Sequence, residues 1–117
     1  MHMRTETGDG YIRKNNCNVR QLYPWDGVVT PPWNATVVTV DPQDSTTRHE
    51  HATDETFIFT NGGGLVWIGD ERRPVAAGDV IYIPHGTEHT IINNSVDEPL
   101  QLVSVYWLQP ATMGVDG

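Results

Sequence analysis

The chain has 117 residues, enough for one domain and too few to divide into two that each bury a core. Seven lysines and arginines stand against 15 acidic residues, a formal charge of −8 that repels phosphate backbones and anionic lipid and excludes nucleic acid and membranes as expected partners. A hydrophobic fraction of 38% argues against a disordered chain, and the single cysteine excludes an intrachain disulfide and any four-cysteine zinc site.

In chain order, residues 1–16 are polar and read as a flexible N-terminal arm. Met1 to Gly10 has no apolar core of a secretory leader and no apolar run reaches the ~18 residues of a spanning helix, so a cytoplasmic location is expected. Residues 17–110 read as a single folded domain and 111–117 as a tail. Cys17 lies outside any motif and reads as buried or incidental. The segment Tyr23 to Trp33 (YPWDGVVTPPW) is too proline-rich for a central strand and too aromatic for a plain linker. It reads as a cover over one end of the fold or as an arm exchanged with another subunit, with Trp25 and Trp33 forming a lid or an interface. Six short β-rich runs follow: Ala35 to Val40, Glu55 to Thr60, Leu65 to Ile68, Val80 to Ile83, His89 to Ile92 and Leu100 to Leu108. Turn chemistry separates them at Asp41-Pro42, Asn61-Gly62-Gly63-Gly64, Gly69-Asp70, Ala77-Gly78-Asp79, Pro84-His85-Gly86 and Asn93-Asn94-Ser95. The expectation is an all-β sandwich or barrel, with a homodimer covering its sheet edge and apolar outer strands.

Four of the five histidines fall between positions 49 and 89. In a strand, His49 and His51 would point to the same face about 6.5 Å apart along the chain, near enough to share an ion. Glu55 follows after a short polar stretch and shares a strand face with Phe57 and Phe59, while His89 opens a later strand. Imidazole and carboxylate donors suit zinc, iron, manganese, copper or nickel. An isolated H-x-H pair is more often surface polarity, so the case for a metal rests on the whole arrangement.

That arrangement is H-x-H at 49–51, three residues, Glu55, six residues, Gly62; then Gly78, five residues, Pro84-x-Gly86, two residues, His89, three residues, Asn93. Both patterns resemble the two motifs of the cupin superfamily, in the family's order, with a compact spacer of residues 63–77, and the resemblance covers residues 33–108. It implies a double-stranded β-helix (jelly-roll) barrel holding one divalent metal ion, iron or zinc first, with His49, His51, Glu55 and His89 as the ligands. Gly62 and Gly78 would be turn residues, and Pro84 and Gly86 would shape the bend that delivers His89. One position departs: the family's glycine six residues before the first histidine is Gln43 here, with Asp41-Pro42 offering another turn.

Three imidazoles and one carboxylate leave coordination positions open, which favours an enzyme over a structural site. Trp33, Phe57, Tyr82 and Tyr106 are the candidates for a substrate pocket. His85 is a weaker candidate for a base at the barrel mouth, beside Glu88. Arg48 and Glu50 should face away from the metal. Arg20, Arg72 and Arg73 offer a substrate carboxylate an anchor, though exposed salt bridges are their ordinary role. Dimethylsulfoniopropionate-type cupin lyases, as the resemblance implies, carry a tyrosine base two residues after the ligand glutamate, where this chain has Phe57. The expected function is a metal-dependent enzyme acting on a small polar metabolite, either a ferrous oxygenase or a redox-silent zinc-type cupin. For the latter, E-T-F-I-F, G-D-V-I-Y-I-P, D-E-P-L at 97–100 and Tyr106-Trp107 are similar to the cupin modules of hydrazine synthetases, which join two amino-acid-derived nitrogens. That reading requires a separate synthetase-like protein as partner. A non-catalytic cupin that binds a small molecule is the remaining alternative.

Overall fold

A computed structural model describes residues 1–109. Apart from one helical turn, α1 (Glu6–Asp9), the described chain is strand and loop: β1 (Ile12–Lys14), β2 (Cys17–Tyr23), β3 (Asn34–Val40), β4 (Asp54–Asn61), β5 (Gly63–Ile68), β6 (Glu71–Ala76), β7 (Val80–Ile83), β8 (His89–Ile92) and β9 (Leu100–Trp107). All pairings are antiparallel, in a six-stranded sheet of order β1-β2-β3-β9-β4-β7 and a three-stranded sheet of order β6-β5-β8. The two sheets enclose one apolar core, centred on Val40, Phe59, Val66, Ile83, Leu100 and Leu102. The expected all-β jelly roll is the architecture found.

Strand alternation decides what enters the barrel. On β9, Leu100, Leu102 and Ser104 are buried; on β4, Glu55, Phe57 and Phe59 are buried while Ile58 is exposed. The registers Glu55 with Tyr106, Phe57 with Ser104 and Phe59 with Leu102 stack these residues in rows across the sheet, polar at one end and apolar at the other. Ser104 also faces Thr36, and Thr36 faces Gln21, which continues the polar row to β2. Backbones approach closely where β5 meets β8: a Cβ on Gly64 would lie 2.2 Å from the Ile92 carbonyl oxygen, so only glycine fits. Asn93, 1% exposed, donates from its side-chain amide to the carbonyls of Val40 and Glu98, pinning the turn after β8 to the end of β3.

Two expectations need correction. Residues 1–16 are not a loose arm throughout, since β1 pairs with β2 through a two-residue turn at Asn15 and Asn16. Both asparagines have left-handed φ, 53° and 61°, which suits the tight hairpin turn that asparagine tolerates. The boundary expected at 16/17 therefore falls inside a hairpin, and β2 itself was not among the expected strands. Residues 111–117 lie outside the described chain.

The turn at 41–44 closes with the Asp44 amide donating to the Asp41 carbonyl at 3.2 Å. Proline stands second, and Gln43 third with a φ of 60°. This is a type II pattern, whose third position favours glycine, so Gln43 occupies the left-handed conformation that a glycine would adopt without strain. Asp44 then ties this loop to the β1–β2 turn. Its carboxylate accepts from the Ser45 amide at 3.0 Å, the Asn16 side chain at 2.7 Å and Arg13 at 3.3 Å, and these bonds hold its pKa below the ordinary 3.8.

Gln43→Gly is expected to stabilise the fold by about 0.5–1 kcal/mol through relief of the left-handed strain. Chemical denaturation measures this, and a loss of stability would contradict the assignment. For Asp44, a folded pKa below the unfolded one contributes stability that is present above about pH 4 and is lost as pH falls through the folded value. The difference in urea midpoint between wild type and Asp44→Asn should therefore be constant from pH 5 to 8 and shrink towards pH 3. An equal difference at pH 3 and pH 7 would refute it.

Candidate metal centre

Three elements converge on one point inside the barrel. Glu55 is the second residue of β4 and is buried. His89 opens β8 and is 2% exposed. His49 reaches the same point from a segment that is not a regular strand, which corrects the expectation of an H-x-H strand. Residues 45 and 49 make isolated bridges to β8, with His49 and His89 exchanging both backbone hydrogen bonds at 3.2 and 2.9 Å. The two histidines are thus direct cross-strand neighbours. His51 follows, held by the Gly86 amide donating to its carbonyl at 2.7 Å, and its side chain is the exposed member of the group.

The rings of His49, His51 and His89 lie 4.6, 4.7 and 5.4 Å apart pairwise, and their ligating nitrogens fall within 4.8 Å of one another. Glu55 Oε1 sits 3.5 Å from His89 Nε2 and 4.0 Å from His51 Nε2. His49 Nδ1–H donates to the Thr47 carbonyl at 2.5 Å, and His89 Nδ1–H to the Thr87 carbonyl at 3.0 Å. Each of these two imidazoles therefore has Nε2 left as a lone-pair donor, and a fixed ring orientation. Ser104 Oγ–H donates to Glu55 Oε2 at 2.5 Å, whereas Oε1 is buried with no hydrogen-bond partner. Burial pushes the His89 pKa down against the opposing pull of the Thr87 carbonyl and Glu55. His51 is pushed down by burial too, opposed by Glu55 and reinforced by His49, His89 and Lys14. Both effects favour the neutral imidazole, the form that binds a metal.

These residues fit a divalent first-row ion. Three imidazole nitrogens and a carboxylate oxygen are the donor types such ions take, and the unpartnered buried Oε1 is the atom a cation would satisfy. A cavity of about 380 Å³ opens onto the group. Of the pocket candidates, Phe57 and Tyr106 line it; Phe57 packs edge-on against His89, with centroids 5.8 Å apart. Trp33 and Tyr82 lie outside its wall. Tyr82 is on the outer face of β7, 56% exposed, and donates its hydroxyl to Asp54 at 2.9 Å. Trp33 packs on Tyr23, centroids 4.9 Å apart, in an aromatic group that includes Trp25.

The remaining candidates are engaged elsewhere. His85 donates from its backbone amide and sits 3.1 Å through Nδ1 from the same Asp54 oxygen, which holds the loop before β8 and keeps the Asp54 pKa low. Arg48 pairs with Glu88 at 3.0 Å, Arg20 with Asp9 at 2.9 Å and Arg73 with Glu71 at 3.1 Å, while Arg72 lies over Trp67. Cys17 is buried and its thiol pKa is raised by desolvation, so it is no activated nucleophile.

Reading the sequence missed the cavity wall made by β1 and β2, with Lys14, Cys17, Val19 and Gln21, and it missed Ser104. A signal for β2 was present: Cys17 and Val19 alternate with the polar Asn18 and Arg20, a half-buried strand pattern. Ser104 shares the inward phase of Leu100 and Leu102, where a small hydroxyl among aliphatics marks a polar partner.

The cupin domain family matches residues 36–106, and the chain belongs to it. Among solved structures, a Cupin 2 conserved barrel domain protein from Salinispora arenicola is 31% identical, with a TM-score of 0.83 over 97% of this chain and 93% of that one. The plu4264 protein from Photorhabdus luminescens is 29% identical, also at a TM-score of 0.83, over 96% and 92%. An uncharacterized protein of Streptomyces coelicolor is 28% identical over 67 residues, which are 57% of this chain and 62% of that protein's length.

Proposed function

We propose that this cupin is a metal-dependent enzyme that acts on a small polar metabolite. The carrying observation is the buried, unpartnered Glu55 Oε1 facing three clustered imidazoles at a cavity of about 380 Å³. His49, His51, His89 and Glu55 would hold one divalent ion, zinc or iron first, with manganese, nickel and copper also compatible with the donors. Bound there, the ion supplies Lewis acidity if zinc, or an oxygen-reactive redox centre if iron.

The chain's own groups have defined parts. The carbonyls of Thr47 and Thr87 fix the two imidazoles, and Ser104 fixes the carboxylate. Phe57 covers His89 on its apolar side and keeps water from that face. It has no proton to exchange, so the lyase type of base is missing at that position. Tyr106 faces Glu55 across the β4–β9 pair, lines the cavity and makes no hydrogen bond to a described residue. In this reading its hydroxyl would hold or return a substrate proton.

Metal titration against a chromophoric chelator, with zinc and with anaerobic ferrous iron, tests the proposal. Wild type should take one equivalent. His89→Ala and Glu55→Gln should each remain folded and bind more weakly by more than the roughly 10–100-fold that losing an outer hydrogen-bond partner costs. Wild-type affinity in a folded His89→Ala protein would contradict the ligand set. Turnover that persists under strict anaerobiosis would select the redox-silent chemistry, and metal-dependent binding without turnover would select the binding module.

A further inference from the structure

Cations are scarce in this acidic chain, and their partners reveal which one is free. Arg4 and Arg20 both pair with Asp9, Arg13 with Asp41 and Asp44, Arg48 with Glu88, and Arg73 with Glu71. Arg72 lies over the Trp67 ring, 5.6 Å from its centroid. Lys14, the seventh and last, has no ion pair or side-chain hydrogen bond among the described residues, and it lines the cavity. The only acidic side chain on that wall is Glu55, which faces the imidazoles. An otherwise anionic surface thus presents its one uncommitted cation to the site.

Position follows from the hairpin. Lys14 ends β1, and its neighbour Asn15 accepts from the Thr47 amide at 3.0 Å, while the Thr47 carbonyl holds His49 Nδ1. One short chain of hydrogen bonds therefore links the β1–β2 turn to His49. The Lys14 charge is also among those that bear on His51. The same wall carries Thr36 and Tyr106, whose hydroxyls bond to no described residue. A ligand reaching both ends would carry an anionic group at one end and polar groups along its length.

We propose that Lys14 is the anchor for a substrate carboxylate, so that the cavity selects a small organic acid and presents its far end to the histidine–glutamate centre. This rests on the proposed metal-site reading only for what happens at that far end. The anchor itself is a charge-assisted hydrogen bond from the Lys14 ammonium to the carboxylate, and it exists with or without the metal.

The test uses metal-free, full-length protein at pH 8, with acetate, malonate and succinate as probes against acetamide, malonamide and succinamide. Dissociation constants come from nuclear magnetic resonance titration. At least one acid should bind roughly tenfold or more tightly than its amide, a preference that Lys14→Met abolishes, Lys14→Arg keeps and Arg72→Met leaves unchanged. Equal affinity for acids and amides, a preference that survives in Lys14→Met, or no binding of any acid would each overturn the proposal. The last result is expected if Lys14 serves only to blunt an edge strand. Because the metal titration is a separate measurement, a chain that binds metal but shows no Lys14-dependent preference fails here alone. The converse result would remove the metal centre and leave the anchor standing.

Discussion

One oxygen of the Glu55 carboxylate accepts from Ser104, and the other is enclosed with three imidazoles and no hydrogen-bond donor. A carboxylate taken out of water costs several kcal/mol unless something of opposite charge or hydrogen-bonding capacity compensates it. Neutral imidazoles present lone pairs, and burial at His51 and His89 favours that neutral form. Three clustered imidazoles with the Glu55 oxygen 3.5 Å from His89 and 4.0 Å from His51 form a set of electron-pair donors that a cation would satisfy. Without one, the Glu55 oxygen stays buried and uncompensated, a local cost that the rest of the barrel has to carry.

The rest of the barrel can be understood as what holds that arrangement in register. Antiparallel pairing sets Glu55 opposite Tyr106 and one step from Ser104, so that a one-residue slip of β9 would turn both away from the interior. The cross-strand exchange of hydrogen bonds between His49 and His89 holds these two imidazoles as a pair. Gly64 lets β5 approach β8 closely enough to seat it, and Asn93 fastens the other end of β8 to β3. Asp54 does the same for the loop that precedes His89, accepting from both the amide and the ring of His85. At the opposite edge, Asp44 draws the β1–β2 turn against the segment that leads to His49, and Lys14 at that turn lines the cavity.

Much of this was legible in the sequence. The six strands from β3 onward that carry β-branched or aromatic runs were readable from alternation and turn residues, and the motif spacing named three histidines that the fold brings together, with Glu55 beside two of them. Strand β6 was not, because Glu71-Arg72-Arg73-Pro74 is polar and contains proline, as an edge strand tolerates. The N-terminal hairpin was hidden by its polarity: β1 is three exposed residues, and only pairing with β2 makes it a strand. Tyr82 was misplaced because a periodicity of two gives alternation without saying which phase faces inward, and Trp33 because it lies before β3, in a segment with no alternation to read. The stretches read as similar to hydrazine synthetase modules fall mainly in β4, β7 and β9, where Phe57, Phe59 and Ile83 pack the barrel, and the comparisons show the cupin family without that likeness. Their presence reports architecture before chemistry. The role of Lys14 was illegible for a different reason. An unpaired cation is recognised only after the partners of all the others are known.

Metal content by inductively coupled plasma mass spectrometry, on protein purified without added metal or chelator and again after reconstitution, tests the centre of this account most directly. One first-row divalent ion per chain is expected, with zinc pointing to Lewis-acid chemistry and iron to oxygen chemistry. A well-folded chain that holds no metal even after reconstitution would contradict it, because the buried Glu55 oxygen would then have to be stabilised by something other than a cation.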